Sequence, residues 1–138
     1  MPYTPFQSVI GEILECRSFG VVGASRNPNK YGYMVYATLK EHGYTVYPIN
    51  PTTDMIGDDV VYPRLETVPE PPDCVVTIVP PETTEQVARV AGRMGVRYMW
   101  MQPGSESEAA VNAAHAAGLR IVYGGPCIMV AVKTRKKR

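Results

Sequence analysis

Residues 19–32 read FGVVGASRNPNKYG, and this stretch decides the fold. An apolar run ends at a glycine, small and polar residues follow, and two cations, Arg26 and Lys30, lead into a helical pattern. A short apolar run between turn formers is typical of a strand buried on both faces of a parallel sheet. The stretch therefore predicts a strand that passes through a tight loop into a helix, an arrangement that presents backbone N–H groups to a phosphate.

The rest of the chain continues this alternation of strand and helix. Further strands are predicted at residues 44–50, 73–80, 96–102 and 120–124, with a short one at 60–62, and helices at residues 4–16, 30–42, 82–94 and 105–118. Strands that alternate with helices form right-handed crossovers and a parallel sheet. We therefore predict an α/β fold: a single three-layer doubly wound (Rossmann-like) parallel sheet of five to six strands with helices on both faces.

Two of the helix starts carry the spacing of a capping box. Thr4 precedes Gln7 by three residues, with Pro5 at the first helical position, and Ser105 precedes Glu108 in the same way. The first helix has one apolar stripe and is predicted to dock on the sheet. The predicted organisation is one domain at residues 1–132, with this N-terminal docking helix, and a basic C-terminal tail at residues 133–138.

Composition excludes several classes of protein. None of the apolar runs in the 138 residues approaches the roughly 18 needed to cross a bilayer, and no signal-peptide pattern opens the chain. Three widely spaced cysteines argue against a disulfide framework and predict a cytoplasmic protein without a membrane partner. Five of the 14 basic residues lie in the last six positions. The acidic remainder and the lack of a recognition motif argue against a nucleic-acid partner.

The predicted topology places a ligand beyond the carboxyl ends of the strands, where the strand order reverses. The segments at these ends supply the candidate binding residues: Gly23, Ala24, Ser25, Arg26, Lys30, Asn50, Pro51, Val79, Pro80, Pro81, Gln102 and Gly104. Gly23 and Ala24 leave room for an anion to approach the backbone, and Ser25 adds a hydroxyl group. Arg26 and Lys30 add two charges beside the predicted N-terminus of a helix, which itself favours anions.

The loop and the end of the second strand do not carry the sequence pattern expected for NAD binding. A dinucleotide fingerprint needs three glycines and an acidic residue at the end of the second strand. The three-glycine pattern is missing, and the second strand ends in Asn50. Asn50 tolerates a ribose phosphate that a carboxylate would repel, so the residues favour a nucleotide with several phosphates. Pro51, Val79 and the prolines after it either form flat walls for a base or simply end a strand and start a helix.

Five segments taken in order resemble a known family. They are VVGAS with its basic loop, GYTVYPINP, VTIVPPE, MWMQPG and a late CIMV. Together they resemble the stand-alone CoA-binding domain proteins, which are related to the N-terminal CoA-binding domain of the succinyl-CoA synthetase alpha subunit. The resemblance covers roughly residues 18–130 and implies a Rossmann-like fold that binds coenzyme A or a short acyl-CoA.

The resemblance also implies a role for each candidate residue. Residues 23–26 would hold the phosphates, Asn50 and Pro51 would lie by the adenosine, and residues 79–81 would contact the adenine or ribose from the other side. Lys30 would pair with the ribose phosphate, and residues 102–104 would lie near the pantetheine arm. Succinyl-CoA synthetase also needs a phosphohistidine domain and a partner subunit, which do not fit in 138 residues. GGPCIM lacks the Asn of the synthetase motif G-P-N-C, so no catalytic role is transferred.

The sequence offers no catalytic residues and no metal ligands. His42 and His115 lie on predicted helices, and neither has a triad or metal-ligand spacing. Cys127 is either a small buried hydrophobe or, near the pantetheine end, a thiol that forms a mixed disulfide with CoA.

The leading hypothesis is a CoA-binding module or sensor without its own chemistry. The alternatives are a subunit of an acyl-CoA-handling enzyme whose other chain is separate, and an NAD(P)-binding redox regulator. A homodimer or a partner enzyme subunit is compatible with each.

Overall fold

The computed structural model describes residues 6–135. Its helices are α1 (Gln7–Leu14), α2 (Tyr31–Glu41), α3 (Pro81–Arg93), α4 (Glu108–Ala116) and α5 (Ile128–Thr134). Its strands are β1 (Ser18–Val22), β2 (Thr45–Ile49), β3 (Met55–Ile56), β4 (Asp59–Val60), β5 (Cys74–Thr77), β6 (Tyr98–Met101) and β7 (Arg120–Val122). A 3-10 turn at Leu65–Thr67 precedes β5.

Five of the strands form one sheet in the order β2-β1-β5-β6-β7, and every pair in it is parallel. Phe19 of β1 pairs with Val46 on one side and with Cys74 on the other. The chain therefore leaves β1 in one direction to build β2 and returns to its other side to build β5. This reversal confirms the predicted doubly wound sheet and places the switch point between β1 and β5.

Successive strand residues pack against opposite layers of helices. On one face, Phe19 and Val21 of β1 join a core that includes residues of α1, α2 and α5; on the other, Val22 joins residues of α3 and α4. The alternation has the period of two that an extended strand imposes. Both faces of the sheet are thus covered, which explains why its strands read as continuous apolar runs.

The start of α4 differs from the prediction. Ser107, not Ser105, is its N-cap, and the Ser107 hydroxyl accepts a hydrogen bond of 3.0 Å from the backbone N–H of Ala110. Ser105 is buried instead, where its Oγ lies 3.1 Å from the Oγ1 of Thr77 and donates to the carbonyl of Gln102. The predicted Ser105–Glu108 capping box is wrong because a second serine two residues later takes the cap. Thr4 and Pro5 of the other predicted cap lie outside the described residues.

The end of the chain forms a helix that the sequence analysis did not predict. Helix α5 runs from Ile128 to Thr134, and Ile128 and Val132 are buried in the core. The guanidinium of Arg135 then binds the carbonyl of Leu14, the hydroxyl of Tyr44 and the carboxylate of Glu15. Residues 133–135 of the predicted tail are thus part of the folded structure, and residues 136–138 lie outside the described range.

The segment between β2 and β5 is irregular but anchored. It forms the hairpin β3–β4, whose Asp59 binds the hydroxyl of Tyr36 and the Nζ of Lys40 on α2. Of the strand predicted at residues 60–62, only Val60 belongs to β4, whereas Tyr62 makes a parallel bridge with Ile49 at the end of β2. This bridge returns the chain to the carboxyl edge of the sheet.

Candidate functional site

Gly23 directly follows β1 and turns the chain away from the sheet. Its φ of +99° lies in the region that glycine alone adopts readily. Its N–H donates to the carbonyl of Ile49 at 3.0 Å, and a Cβ at this position would lie 2.2 Å from the carbonyl oxygen of Ile78. Both the conformation and the close approach therefore require glycine here, as the first glycine of a nucleotide-binding loop does.

Gly32 is a second required glycine, and the sequence analysis assigned it no role. A Cβ on Gly32 would lie 1.9 Å from the carbonyl oxygen of Gly23, so the first turn of α2 rests directly on the end of β1. Close packing of helix on strand is the task of the third glycine in a dinucleotide fingerprint. The three-glycine spacing is absent, but two of its three functions are performed by Gly23 and Gly32. The signal in the sequence was a glycine at the start of a helix, where it lowers helix propensity.

The loop between these glycines is built from short side-chain turns. The Oγ of Ser25 accepts from the N–H of Asn27 at 3.1 Å, and the Oδ1 of Asn27 accepts from the N–H of Asn29 at 3.0 Å. No side chain caps the N-terminus of α2 at Lys30. The partial positive charge of this helix end and the exposed Arg26 and Lys30 therefore form an electropositive loop (residues 24–30), and its binding of a phosphate stays a prediction.

Asn50 fixes this loop to the end of β2. Its Nδ2 donates to the carbonyl of Ala24 at 2.8 Å, while its Oδ1 accepts from the N–H and the hydroxyl of Thr52 at 2.8 and 2.9 Å. An aspartate would lose the donor and place an oxygen against the carbonyl of Ala24. The structure thus supplies a reason for Asn50 that the sequence analysis had not considered: the side chain braces the loop, in addition to bordering the space beside it.

A cavity of about 450 Å³ opens between the end of β2 and α3, and we call it the edge cavity. Four of the candidate residues, Gly23, Asn50, Pro51 and Val79, line it together. The sequence analysis missed the rest of its lining: Val22, Ile49, Pro63, Arg64, Leu65, Glu66, Thr83, Gln86, Val87 and Val90. Its walls are mostly apolar with a few polar groups, which is the usual character of a small-molecule site.

The other candidates lie outside the lining of the edge cavity. Ala24 is buried, Ser25 is half-buried, and Arg26 and Lys30 are exposed on the loop beside it. Pro80 is the N-cap of α3 and Pro81 its first residue, so both start a helix. Gly104 is exposed in a turn, where its N–H donates to the Oε1 of Glu106 at 2.8 Å.

Gln102 is fully buried at the end of β6, where it organises a cluster with Tyr31 and Cys127. Its Nε2 lies 3.0 Å from the Tyr31 hydroxyl and 3.5 Å from the Cys127 sulfur, and its Oε1 accepts from the N–H of Ile128 at 2.8 Å. The Tyr31 hydroxyl is 3.0 Å from the same sulfur. Gln102 therefore positions two side chains that face the carboxyl edge, while its own polar atoms are used internally.

The environment of Cys127 favours its thiolate. Burial raises the pKa of the Cys127 thiol, but hydrogen bonds from Tyr31, from Gln102 and from the N–H groups of Val130 and Met129 outweigh burial and lower it below its usual value. The pKa of Tyr31 is raised to about 12 by burial and by its bond to Cys127, so Tyr31 keeps its proton and donates it. Cys127 is half-buried, and both of its interpretations, a packing residue and a thiol near the pantetheine end, stay predictions.

Two further concavities show that volume alone does not select the site. One of about 480 Å³ lies at the amino edge of the sheet, and its charge is mixed, because three carboxylates (Glu12, Glu15 and Asp73) and two guanidinium groups (Arg17 and Arg97) border it. Another of about 670 Å³ lies in the groove between α3 and α4. The edge cavity is smaller, but it adjoins the electropositive loop at the switch point.

The described residues show neither a metal-ligand cluster nor a membrane-spanning helix. Residues 6–135 contain no group of three or more His, Cys, Asp or Glu side chains placed to hold a metal ion. His42 binds the carbonyl of Thr38 in its own helix through Nδ1, at 2.8 Å. Within the same residues, no helix has both the length and the apolar character to cross a membrane.

Comparison with known proteins identifies the family. A family model described as a CoA-binding domain matches residues 17–133. The chain belongs to the CoA-binding domain family. The resemblance noted in the sequence is thereby confirmed, and the match covers all the elements from β1 to α5 that build the edge cavity and the loop.

Relatives of this CoA-binding domain occur both alone and within larger enzymes. The alpha subunit of ADP-forming acetate–CoA ligase II from Pyrococcus furiosus is 29% identical over 81% of this chain, which spans 27% of that subunit. The uncharacterized protein YneT from Bacillus subtilis is 30% identical, with 92% of this chain and 94% of YneT covered. A hypothetical protein from Pyrococcus horikoshii has the same fold, with a TM-score of 0.87, 30% identity and coverage of 96% and 97%.

Proposed function

We propose that this CoA-binding domain binds coenzyme A or a short acyl-CoA along the carboxyl edge of its sheet. The adenosine occupies the edge cavity, and the diphosphate lies on residues 24–30 at the N-terminus of α2. The observation that carries the proposal is the junction of an apolar cavity with an electropositive, glycine-closed loop at the switch point. The residues fit such a ligand, because Gly23 and Gly32 leave no side chain between the loop and the sheet.

The proposed orientation directs the pantetheine arm toward the cluster of Tyr31, Gln102 and Cys127. Tyr31 is the first residue of α2 and directly follows the loop, and it contacts Cys127 at the start of α5. A ligand whose phosphates lie on the loop and whose adenosine fills the edge cavity has its other end on this side. When bound, the ligand would bring its thiol or thioester toward this cluster.

The chain acts in this proposal as a binding module without a catalytic site of its own. Within residues 6–135 the Cys127 thiol is not paired with a histidine or carboxylate base, since the side chains that contact its sulfur are the neutral groups of Tyr31 and Gln102. One observation favours a second candidate, a subunit of an acyl-CoA-handling enzyme: the chain spans only 27% of the acetate–CoA ligase subunit it resembles. A redox regulator that binds NAD(P) has less support, because the loop lacks the dinucleotide glycine spacing.

Ser25 offers the sharpest test of the phosphate position, because its side-chain oxygen accepts a hydrogen bond from the loop backbone. An aspartate at this position preserves an acceptor for the N–H of Asn27 but places a negative charge among the phosphates, whereas an asparagine preserves the acceptor without the charge. Calorimetry and thermal shift with CoA, acetyl-CoA, NAD and NADP should show CoA binding by the parent protein and by Ser25→Asn. Binding should fall about a hundredfold or more in Ser25→Asp.

The same panel separates the alternatives. A ligand that binds only the folded protein adds about 2.7 kcal/mol of stability at a concentration one hundred times its Kd. Stabilisation by NADP but not by CoA would overturn the proposal in favour of the redox reading. Equal CoA binding by Ser25→Asp and Ser25→Asn would show that the phosphates lie elsewhere.

A further inference from the structure

We infer that Arg64 is the residue that selects a ligand with a phosphorylated ribose, an inference that rests on the proposed function. Among the described residues lining the edge cavity, Arg64 carries the one positive charge and Glu66 the one negative charge. Arg26 and Lys30, the cations that the sequence suggested, lie on the loop and do not line the cavity. A phosphate on the ribose would therefore lie nearest to Arg64.

The backbone around Arg64 is held at the end of β2. The backbone N–H of Tyr62 donates to the carbonyl of Pro48 at 2.9 Å, and the carbonyl of Tyr62 accepts from the N–H of Asn50 at 2.9 Å. These two bonds tie the segment to β2. On the other side, the hydroxyl of Thr67 donates to the carbonyl of Arg64 at 2.7 Å. Leu65 is 4% exposed and anchors the turn in the core. Arg64 thus lies on a hydrogen-bonded segment of backbone, close to Asn50.

The guanidinium of Arg64 has no hydrogen bond or ion pair to any side chain or carbonyl within residues 6–135. A guanidinium presents a planar set of donors that matches two oxygens of a phosphate. Glu66 borders the same cavity and would repel that phosphate. Neutralising Arg64 would leave Glu66 as the one charged group in the lining. The loss of the attraction by Arg64 and the remaining repulsion by Glu66 would both disfavour the phosphorylated ligand.

Coenzyme A and dephospho-CoA differ only in the ribose phosphate, so their affinity ratio isolates this contact. By calorimetry at low salt, the parent protein should prefer CoA by about tenfold, as expected for a charge-assisted hydrogen bond open to solvent. In Arg64→Gln, CoA affinity should fall by about tenfold while dephospho-CoA affinity stays within about twofold, so the preference disappears. Arg64→Lys should retain part of the preference, because it keeps the charge but loses the paired donors.

Arg26→Gln and Lys30→Gln are the matched controls, since both remove one exposed cation from the same edge. Each should weaken CoA and dephospho-CoA by the same factor and leave the ratio intact. An unchanged ratio in Arg64→Gln, or a ratio abolished by Lys30→Gln instead, would overturn the inference while the proposed function stands. If the folded parent protein binds neither ligand, the proposed function itself is wrong and the inference falls with it.

Discussion

The two edges of the sheet differ in how their cations and carboxylates are distributed. At the amino edge Arg17 and Arg97 share a cavity with three carboxylates, whereas residues 24–30 at the carboxyl edge carry cations and no carboxylate. At the amino edge, Arg120 grips Glu12 through two bonds, at 3.1 Å from Nε to Oε1 and 2.7 Å from Nη2 to Oε2, and the hydroxyl of Tyr98 donates to the same carboxylate. At the carboxyl edge, Arg26 and Arg64 have no ion-pair partner within the described part of the chain. Paired charges hold one element to another, whereas unpaired cations are available to an external anion.

The loop after β1 also differs from helix α1 in how closely its glycines are packed. The loop after β1 places two glycines against backbone carbonyls, whereas a Cβ on Gly11 of α1 would meet no atom within 4 Å. This loop therefore combines closely packed glycines with two cations, Arg26 and Lys30, that have no ion-pair partner within residues 6–135. That combination is what a preformed anion site needs, because it avoids an ordering cost when the ligand binds.

Among the variants that test this comparison, Gly32→Ala is expected to have the largest effect on stability and ligand binding. The new Cβ would lie 1.9 Å from the carbonyl oxygen of Gly23, which cannot move without shifting the loop. We expect a loss of about 2 kcal/mol or more in the free energy of unfolding, measured with urea, since overpacking typically costs roughly 1–3 kcal/mol. CoA should no longer raise the melting temperature.

Gly11→Ala is the control for Gly32→Ala, because the same methyl group enters open space on a helix. It should leave stability unchanged or raise it by about 0.5–1 kcal/mol, as expected for replacing a helical glycine. If Gly32→Ala and Gly11→Ala behaved alike, the tight packing of α2 on β1 would be contradicted.

The fold could be predicted from the sequence because its main signals are local. Each strand of the sheet is a short apolar run, and each of the first four helices shows an apolar period or a glycine stop, so the order of elements and the switch point followed. Helix α5 was missed because Ile128–Thr134 is short and begins with a continuous apolar run, which has no helical period. The cap of α4 was misplaced because Ser105 and Ser107 both precede the same helix.

The site was only partly predictable, because its remaining walls come from an irregular segment, residues 63–66, and from one side of α3. Gly23, Asn50, Pro51 and Val79 directly follow strands, so topology alone indicated that they share an edge. Arg64 lies in an irregular segment with no periodicity, and it reaches the cavity only because Tyr62 pairs with Ile49. Gly32 was missed because its role depends on how closely α2 approaches the end of β1: a Cβ at this position would lie 1.9 Å from the carbonyl oxygen of Gly23.

Tyr31→Phe should give a smaller effect, confined to the cluster at the carboxyl edge. The variant removes a hydrogen bond that lowers the pKa of Cys127, so that pKa should rise. The midpoint of the pH profile for alkylation of Cys127 by iodoacetamide should move to higher pH, and the rate at pH 8 should fall a few-fold, by about threefold to tenfold. Peptide mapping by mass spectrometry follows Cys127 separately from the other thiols.

The other two cysteines provide an internal reference for that experiment. Burial raises the pKa of Cys16 to about 11, and burial raises that of the fully buried Cys74 well above its usual value. Both should react slowly, and neither profile should change in Tyr31→Phe. A Cys127 profile with an unchanged midpoint would mean that Tyr31 does not stabilise the thiolate.

The smallest effect is expected at the amino edge, from Glu12→Gln. Hydrogen bonds from Tyr98 and Arg120 lower the pKa of Glu12 in the folded protein below its usual 4.5. A lowered folded-state pKa adds stability above the unfolded value, and that stability is lost as the pH falls through the folded value. The parent protein should therefore have a slightly higher melting temperature than Glu12→Gln at pH 7. The difference should shrink as the pH drops below 4.5.

CoA affinity should be the same in the parent protein and in Glu12→Gln, because the paired charges of the amino edge act on the fold and not on the ligand. A loss of affinity in Glu12→Gln would contradict the division between the two edges.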